Sequence, residues 1–274
     1  MEWQSLKRIF LLLAGFPLAA VLSPGPLASA NEDPPSLPDL WKKAIAVFQQ
    51  SKDWIPGEIS ERTEMLTRHG NVSSLRIQNF ISSQSEKDGS IRIVLVSASE
   101  DGTDISEKAK RKFFEREAER EKESAGKPRP QGAFSLSLEE NPFNPDKQQQ
   151  VRVWQRAETQ SIYGRLCRRF DYLYTLELER KKKAERFTLR GMAWLDAESG
   201  VPYKIEFAPE PLPGPLKSLW TILLYSLGPD NEWLAREMRI EARARFLFFR
   251  KAVRTTLLFS NHWRPVDKSD ASRG

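Results

Sequence analysis

The sequence predicts a mainly β protein with some α-helix, in which about ten antiparallel strands form an open, unclosed barrel wrapped over one or two helices. Three observations predict this fold. An apolar stripe at helical spacing comes first, many segments of alternating apolar and polar residues follow, and short turns join those segments. Sequential strands with short connections are typical of a meandering antiparallel sheet, and such a sheet has to bury one face.

The composition is that of a globular protein, with 39% hydrophobic and 29% charged residues in a chain of 274. At roughly 100 to 200 residues per domain, this length leaves room for one large domain or two small ones. The 43 basic and 37 acidic residues give a net charge of +6. The two signs are interspersed, without the basic stripe and stacking aromatics of a nucleic-acid interface, so we predict no nucleic-acid partner. Cys167 stands alone, which excludes an internal disulfide and a cysteine-rich metal site.

The first 30 residues have the pattern of a secretory signal peptide. Two basic residues precede an apolar run from Ile9 to Phe16, and the segment ends in the small residues Ala28-Ser29-Ala30. The run meets Pro17 and is shorter than the roughly 20 residues of a membrane-spanning helix. We therefore expect cleavage after Ala30 and a periplasmic protein, with residues 31–264 as a single β domain and residues 265–274 as a disordered tail. The alternative is an uncleaved N-terminal anchor.

The first predicted element after the signal peptide is a helix that begins at Ser36 and ends near Trp54. Ser36 occupies a capping position, and Pro56-Gly57 cannot continue a helix. Apolar residues recur at spacings of three and four, which gives the helix one apolar stripe to pack against the sheet. The residues of this stripe are Leu37, Leu40, Trp41, Ala44, Ile45 and Phe48.

Three strands are predicted between residues 58 and 95, with a turn at Lys87-Asp88-Gly89. Residues 105–145 then interrupt the strand pattern as an insertion. From Ile105 to Glu123, opposite charges three residues apart predict a solvated helix, at a few tenths of a kcal/mol per pair. From Gly126 to Pro145 the prolines predict a loop, in which Phe134 to Leu138 has the alternation of a short strand.

Seven further strands are predicted after the insertion, with turn residues between them. They cover residues 151–159, 166–179, 187–195, 201–208, 216–227, 233–244 and 246–260. The proline-rich segment from Pro209 to Pro215 is either a stiff connection between two strands or a lid over an apolar interior.

The sequence lacks the motifs of nucleophilic, phosphate-binding and metal-dependent enzymes. An unrecognised hydrolase would have to use residues such as Glu139, Asp196 and His262, but acidic residues in turns more often serve turn geometry. Cys167 lies in a predicted strand, where an isolated cysteine is usually a small buried hydrophobe. We therefore predict a protein that is not an enzyme and that uses no cofactor and no metal.

Aromatic and aliphatic side chains on the predicted sheet faces are the candidate ligand-binding residues. One amphipathic helix and one charged helix cover little of so long a sheet, so its apolar face either lines a hollow or packs a closed core. Trp194 alternates with Ala193 and Leu195, so both faces of the sheet should be at least partly covered there. The candidate lining residues are Trp154, Tyr172, Trp194, Phe207, Trp220, Met238, Phe246 and Phe248.

One hairpin motif stands out between Gly191 and Phe207. It reads Gly-Met-Ala-Trp-Leu-Asp-Ala-Glu-Ser-Gly-Val-Pro and follows the strand from Phe170 to Leu178. It resembles the Gly-x-x-Trp-Leu-Asp-x-x-(Ser/Thr)-Gly-x-Pro hairpin of the periplasmic lipoprotein-sorting and lipoprotein-carrier (LolA-like) superfamily. The resemblance implies an open antiparallel barrel over helices, with an apolar concave side that shields acyl chains and no catalytic residues. The charged insertion from Ile105 to Glu123 departs from that pattern.

The functional prediction is an exported, non-enzymatic protein that binds or shuttles a lipid or an acylated protein in the bacterial envelope, with peripheral membrane contact. Moving a 16-carbon acyl chain through water costs on the order of 12 kcal/mol, at about 0.8 kcal/mol per methylene, so a carrier needs an apolar lining. The alternative is a periplasmic sensor or scaffold that binds a protein partner through the charged helix at Ile105 to Glu123 and carries no lipid.

Overall fold

The structure is a computed structural model that describes residues 37–85, 89–123, 141–180, 183–212, 216–246 and 249–266. The predicted signal peptide, most of the proline-rich loop with its short strand, and residues 267–274 of the predicted tail lie outside these described residues.

Eleven antiparallel strands form one unclosed sheet, which confirms the predicted open barrel of about ten strands. The strands are β1 (Glu58–Leu66), β2 (Val72–Gln84), β3 (Ile91–Glu100), β4 (Thr103–Asp104), β5 (Val151–Ile162), β6 (Arg165–Arg180), β7 (Lys183–Asp196), β8 (Pro202–Glu210), β9 (Leu216–Leu227), β10 (Trp233–Phe246) and β11 (Phe249–Ser260). Their spatial order is β4-β3-β2-β1-β11-β10-β9-β8-β7-β6-β5. The first and last strands of this sheet in sequence, β1 and β11, therefore pair with each other, and β4 and β5 form its two edges.

Two α-helices accompany the sheet in the described ranges: α1 (Asp39–Ser51) and α2 (Ser106–Glu123). A short 3-10 helix, Pro145–Gln150, leads into β5. α1 begins three residues later than predicted, because Leu37 precedes Pro38 and a residue before proline avoids the helical conformation. No helix in the described part of the chain is both long enough and apolar enough to span a membrane.

α1 packs on one side of the sheet, which we call the inner face. Trp41 and Phe48 are buried there. The Trp41 ring lies 6.0 Å from Tyr172 in β6, and the Phe48 ring lies 6.2 Å from Trp233 at the start of β10. Phe143, just before the 3-10 helix, contacts Trp41 with ring centroids 4.6 Å apart. These aromatic side chains fill the concave side of the sheet beneath α1.

α2 also covers the inner face, at β2 and β3 near the other edge of the sheet. Ile105, Ala109 and Phe113 are half-buried at spacings of four, and the Phe113 ring lies 6.0 Å from Phe80 in β2. The next residue, Phe114, points away from the sheet with 54% of its surface exposed. The charged insertion therefore contributes a covering helix with one apolar stripe.

The hairpin motif at the end of β7 forms a turn held by one carboxylate. Asp196 Oδ1 accepts hydrogen bonds from the backbone N–H groups of Glu198 (3.1 Å) and Ser199 (2.8 Å) and from the Ser199 hydroxyl (2.8 Å). Burial opposes the charge on Asp196, but the bonds from Ser199 and Glu198 outweigh it and hold the pKa of Asp196 below its usual value. The aspartate of the motif thus serves turn geometry.

The same turn is also the docking point of α1. Gly200 has a φ of +77°, and a Cβ atom there would lie 2.7 Å from Lys43 Cβ and 2.9 Å from the Leu40 carbonyl oxygen. Lys43 Nζ donates to the carbonyl oxygen of Glu198 at 2.9 Å. Because only glycine permits both this backbone conformation and this close approach, the motif fixes where the helix sits.

The segment after β11 folds back on the link between α1 and β1. The Ile55 and Trp263 backbones exchange two hydrogen bonds, of 2.8 and 2.9 Å. The Arg264 guanidinium lies 4.9 Å from the centroid of the Trp54 ring and donates to the Gln50 carbonyl oxygen at 2.9 Å. The two parts of the chain that flank the sheet are therefore tied together beside α1.

Candidate ligand-binding face

Directly opposed residues form a transverse row on the inner face that crosses ten strands, from β5 to β3. Opposed residues of an antiparallel sheet point to the same side, so the whole row faces inward with Tyr172. The β5 side of the row is apolar and aromatic, whereas the β3 side is polar. The row consists of Val153, Tyr172, Gly191, Phe207, Thr221, Ile240, Thr255, Thr63, Arg76 and Glu100.

Tyr172 is the central side chain of the apolar part. It is 1% exposed, and its hydroxyl group has no hydrogen-bond partner among the described residues. Burial raises the pKa of Tyr172 well above its usual value, and the nearby Tyr225 and Glu206 act in the same direction. Its ring lies across the backbone of Gly191, where a Cβ atom would be 2.2 Å from Tyr172 Cζ.

A second apolar cluster, which we call the β9–β10 cluster, continues the inner face away from α1. Leu216, Leu219 and Ala242 are buried in it, and Ile240 and Ala244 pack against them. Leu219 lies opposite Ala242, one inward position beyond the Ile240 pair. All of its described members come from two adjacent strands, and none comes from a helix. This part of the inner face thus differs from the aromatic part that α1 covers.

The polar part of the inner face holds a chain of side-chain hydrogen bonds. The Thr255 and Thr63 hydroxyls lie 3.2 Å apart, and the Thr63 hydroxyl donates to Glu61 Oε1 at 3.0 Å. Arg76 Nη2 donates to Glu100 Oε2 at 2.7 Å. Burial raises the pKa of Glu61 above its usual value, and the Thr63 hydrogen bond and the Arg76 charge offset only part of that effect.

Sequence reasoning missed this inward carboxyl group, although a signal was present. Glu61 and Thr63 share the parity of Ile59, which is buried on the inner face. Two polar residues at inward positions of a strand indicate a polar patch inside the barrel.

The structure places three of the predicted lining residues on the inner face and three on the outer face. Tyr172, Phe207 and Met238 face inward, and Trp154, Trp194 and Trp220 face outward. Phe248 lies outside the described residues, as does the side chain of Phe246. Met238 lies opposite Leu223. This pair is the next inward pair after Ile240 and Thr221, so Met238 neighbours the transverse row that contains Tyr172 and Phe207.

The three outward tryptophans have different surroundings. Trp154 is 42% exposed on the edge strand β5. Trp194 is half-buried opposite Lys204, in keeping with the predicted partial covering of both faces. The Trp220 indole donates to Glu206 Oε2 at 3.2 Å. All three point to the opposite face of the sheet from Tyr172, although Trp194 still packs against the core cluster to which Tyr172 belongs.

Of the residues considered for a hydrolase, Asp196 and His262 lie in different parts of the fold. Asp196 is engaged in the β7–β8 turn, His262 lies in the segment after β11, and Glu139 lies outside the described residues. In the described ranges, no three histidine, cysteine, aspartate or glutamate side chains are grouped so as to hold a metal ion. Cys167 is buried, and burial, with a smaller effect of the Asp196 charge, raises the pKa of its thiol to about 11.

A small cavity of about 10 Å³ lies at the end of α1. A volume of this size holds about one water molecule, so it does not accommodate an acyl chain. The lining residues are Phe48, Ser51, Lys52, Trp54, Pro56, Tyr225, Trp233, Leu234, Ala235 and His262.

We expect mild acid to destabilise the fold through His262. Burial lowers the pKa of His262 below its usual value, and the hydrogen bond to the Ala235 backbone offsets only part of this. The unfolded chain therefore binds the proton more tightly than the folded protein does. The contribution of His262 to the free energy of unfolding is complete above a pH of about 6.5 and declines as the pH falls through the lowered pKa. Thermal unfolding from about pH 7.5 to 5 should show a shallower loss for His262→Gln than for the wild type; identical slopes would contradict the assignment.

No protein-family model matches this sequence, and no curated protein matches it. Among solved structures, a DUF1329 family protein from Desulfovibrio piger is 14% identical, with a TM-score of 0.37, and the alignment covers 86% of this chain and 95% of that one. MucB in complex with MucA(peri) is 9% identical, with a TM-score of 0.20 and coverage of 84% and 98%. The Pseudomonas aeruginosa MucA/MucB complex is 9% identical, with a TM-score of 0.21 and coverage of 84% and 99%. Likenesses of this size carry no functional conclusion.

Proposed function

We propose that this protein is exported to the bacterial envelope and binds an amphiphile there, without catalysis, on the inner face of its open barrel. The ligand is a lipid or the lipid moiety of an acylated protein. The observation that carries the proposal is the β9–β10 cluster, whose described members all belong to the sheet. Leu219 and Ala242 are 6% and 8% exposed, so an acyl chain reaches them only by displacing what covers them. Its methylenes then leave water, at about 0.8 kcal/mol each.

The polar part of the inner face favours an amphiphile over a plain hydrocarbon. Ile240 lies directly opposite Thr255, which in turn lies opposite Thr63. A ligand whose chain contacts Ile240 therefore brings its polar end toward hydroxyl groups and toward the Arg76 and Glu100 pair. Polar groups of this kind fix the orientation of a ligand whose binding energy comes from apolar contact.

Binding of an amphiphile to the inner face is tested by a pair of variants. Each adds a tryptophan to β10, one on the inner face and one on the outer face. We expect protein purified from the cell envelope to release a bound amphiphile on organic extraction, detected by mass spectrometry. Ala242→Trp adds an indole to the inner face and should reduce the bound amphiphile at least about tenfold, a loss of about 1.4 kcal/mol in binding. Arg243→Trp adds the same ring to an exposed position on the outer face of β10 and should leave loading unchanged.

Circular dichroism and thermal unfolding of both variants show whether the fold is retained, and binding of a fluorescent fatty acid by the wild type provides a measurement that needs no variant. A wild-type protein that carries no amphiphile and does not bind the fatty acid overturns the proposal. Equal loading of the two folded variants also overturns it, because the ligand then lies elsewhere.

A second candidate function, recognition of a protein partner, is supported by Phe114. This side chain is 54% exposed on α2 while its neighbour Phe113 packs against Phe80. A sensor or scaffold that docks a partner through α2 needs no bound amphiphile, so the extraction experiment separates the two functions.

A further inference from the structure

The small cavity at the end of α1 joins parts of the chain that are distant in sequence. Its wall includes Phe48 from α1, Trp54 from the link to β1, Trp233 and Ala235 from β10, and His262 from the segment after β11. Most of this wall is apolar, and it lies apart from the β9–β10 cluster. An inference about this cavity is therefore independent of the proposed amphiphile site.

Two of the residues that line the cavity each have a buried side-chain nitrogen without a hydrogen-bond partner among the described residues. They are Trp54 Nε1 and His262 Nε2. Leaving a buried donor or acceptor unpaired costs about 1 to 3 kcal/mol, so native proteins pair such groups with each other or with an internal water.

The hydrogen bond between His262 and the Ala235 backbone sets the chemistry of the free nitrogen. We assign the contact with Ala235, and with it the proton of the neutral imidazole, to Nδ1, because Nε2 is the nitrogen without a partner. Nε2 is then an acceptor, whereas Trp54 Nε1 is only a donor. With this assignment, Trp54 Nε1 and His262 Nε2 are one donor and one acceptor, which a single water molecule can bridge.

We infer that this cavity is a binding site for one internal water, which accepts a hydrogen bond from Trp54 Nε1 and donates one to His262 Nε2. The volume of about 10 Å³ matches a single water. The water bridges the link between α1 and β1 to the segment after β11, at the point where Ile55 and Trp263 already pair. It contributes to holding α1 in place on the inner face.

A high-resolution crystal structure of the wild type tests the site directly. We expect one ordered water at roughly 2.7 to 3.2 Å from both Trp54 Nε1 and His262 Nε2. In solution, the Trp54 indole N–H should show magnetisation exchange with a long-lived water. The Trp263 indole, which donates to Ser82 Oγ at 3.0 Å, is the internal control and should show none.

A matched pair of variants removes one indole N–H at a time and leaves an aromatic ring. Trp54→Phe should abolish the ordered water, whereas Trp263→Phe should retain it. A direct hydrogen bond between Trp54 and His262 in the crystal structure, or a dry cavity together with the absence of the Trp54 water signal, overturns the inference. Neither result bears on amphiphile loading.

Discussion

Trp41→Ala should lower the free energy of unfolding by about 3 to 5 kcal/mol, the usual cost of truncating a buried tryptophan. Trp41 is completely buried, and its ring lies 4.6 Å from Phe143 and 6.0 Å from both Phe170 and Tyr172. Its indole also donates to Gln148 Oε1 at 3.2 Å. The substitution opens a cavity between α1, β6 and the segment before β5, because neighbours fixed in a sheet cannot collapse into it.

Denaturant unfolding followed by far-ultraviolet circular dichroism measures this loss, and Trp154→Ala is the matched control. Trp154 is 42% exposed on the outer face of β5, so its removal should change stability by roughly 0.5 kcal/mol or less. Equal losses in the two variants would show that α1 is not seated by Trp41. A selective loss for Trp41→Ala would place the main apolar contact of the helix at β6.

Sequence periodicity predicted the elements that carry a strong, local pattern. The stripe of α1 recurs at helical spacing, and Trp41 and Phe48 from it are buried as that spacing requires. The strands after residue 150 appear with boundaries shifted by a few residues. β4 was missed, because Thr103–Asp104 is a two-residue strand that exists only through its pairing with Ser99 and Glu100. An alternating pattern can be recognised only over several residues, whereas a two-residue edge strand is defined by its hydrogen bonds to the neighbouring strand.

The face on which an aromatic residue lies could not be predicted from residue type alone. Trp194 and Phe207 are both aromatic strand residues, yet the register puts Trp194 on the outer face and Phe207 on the inner face. A β-bulge shifts the relation between parity and face, as between Gln155 and Thr159 in β5. The register between neighbouring strands therefore has to be known before the alternation along a strand assigns a residue to the inner or the outer face.

Gly191→Ala is expected to lower the free energy of unfolding by about 1 to 3 kcal/mol, the usual cost of overpacking a filled interior. The added Cβ would lie 2.2 Å from Tyr172 Cζ, 2.4 Å from its hydroxyl oxygen and 2.6 Å from the Glu206 carbonyl oxygen. Real Cβ atoms do not approach other atoms so closely, so the Tyr172 ring must leave its position across β7. Because the ring is fully buried between α1 and the sheet, its displacement disturbs the packing of Trp41 as well.

A double-mutant cycle identifies the clash as the cause. In a Tyr172→Ala background the ring atoms are gone, so Gly191→Ala should cost clearly less than it does in the wild type, and the difference measures the coupling of the two positions. Urea unfolding of the four proteins provides the numbers. If Gly191→Ala cost the same in both backgrounds, the backbone of Glu206 would be the obstacle rather than Tyr172. Gly191 would then be required by the close approach of the β7 and β8 backbones, and not by the position of the Tyr172 ring.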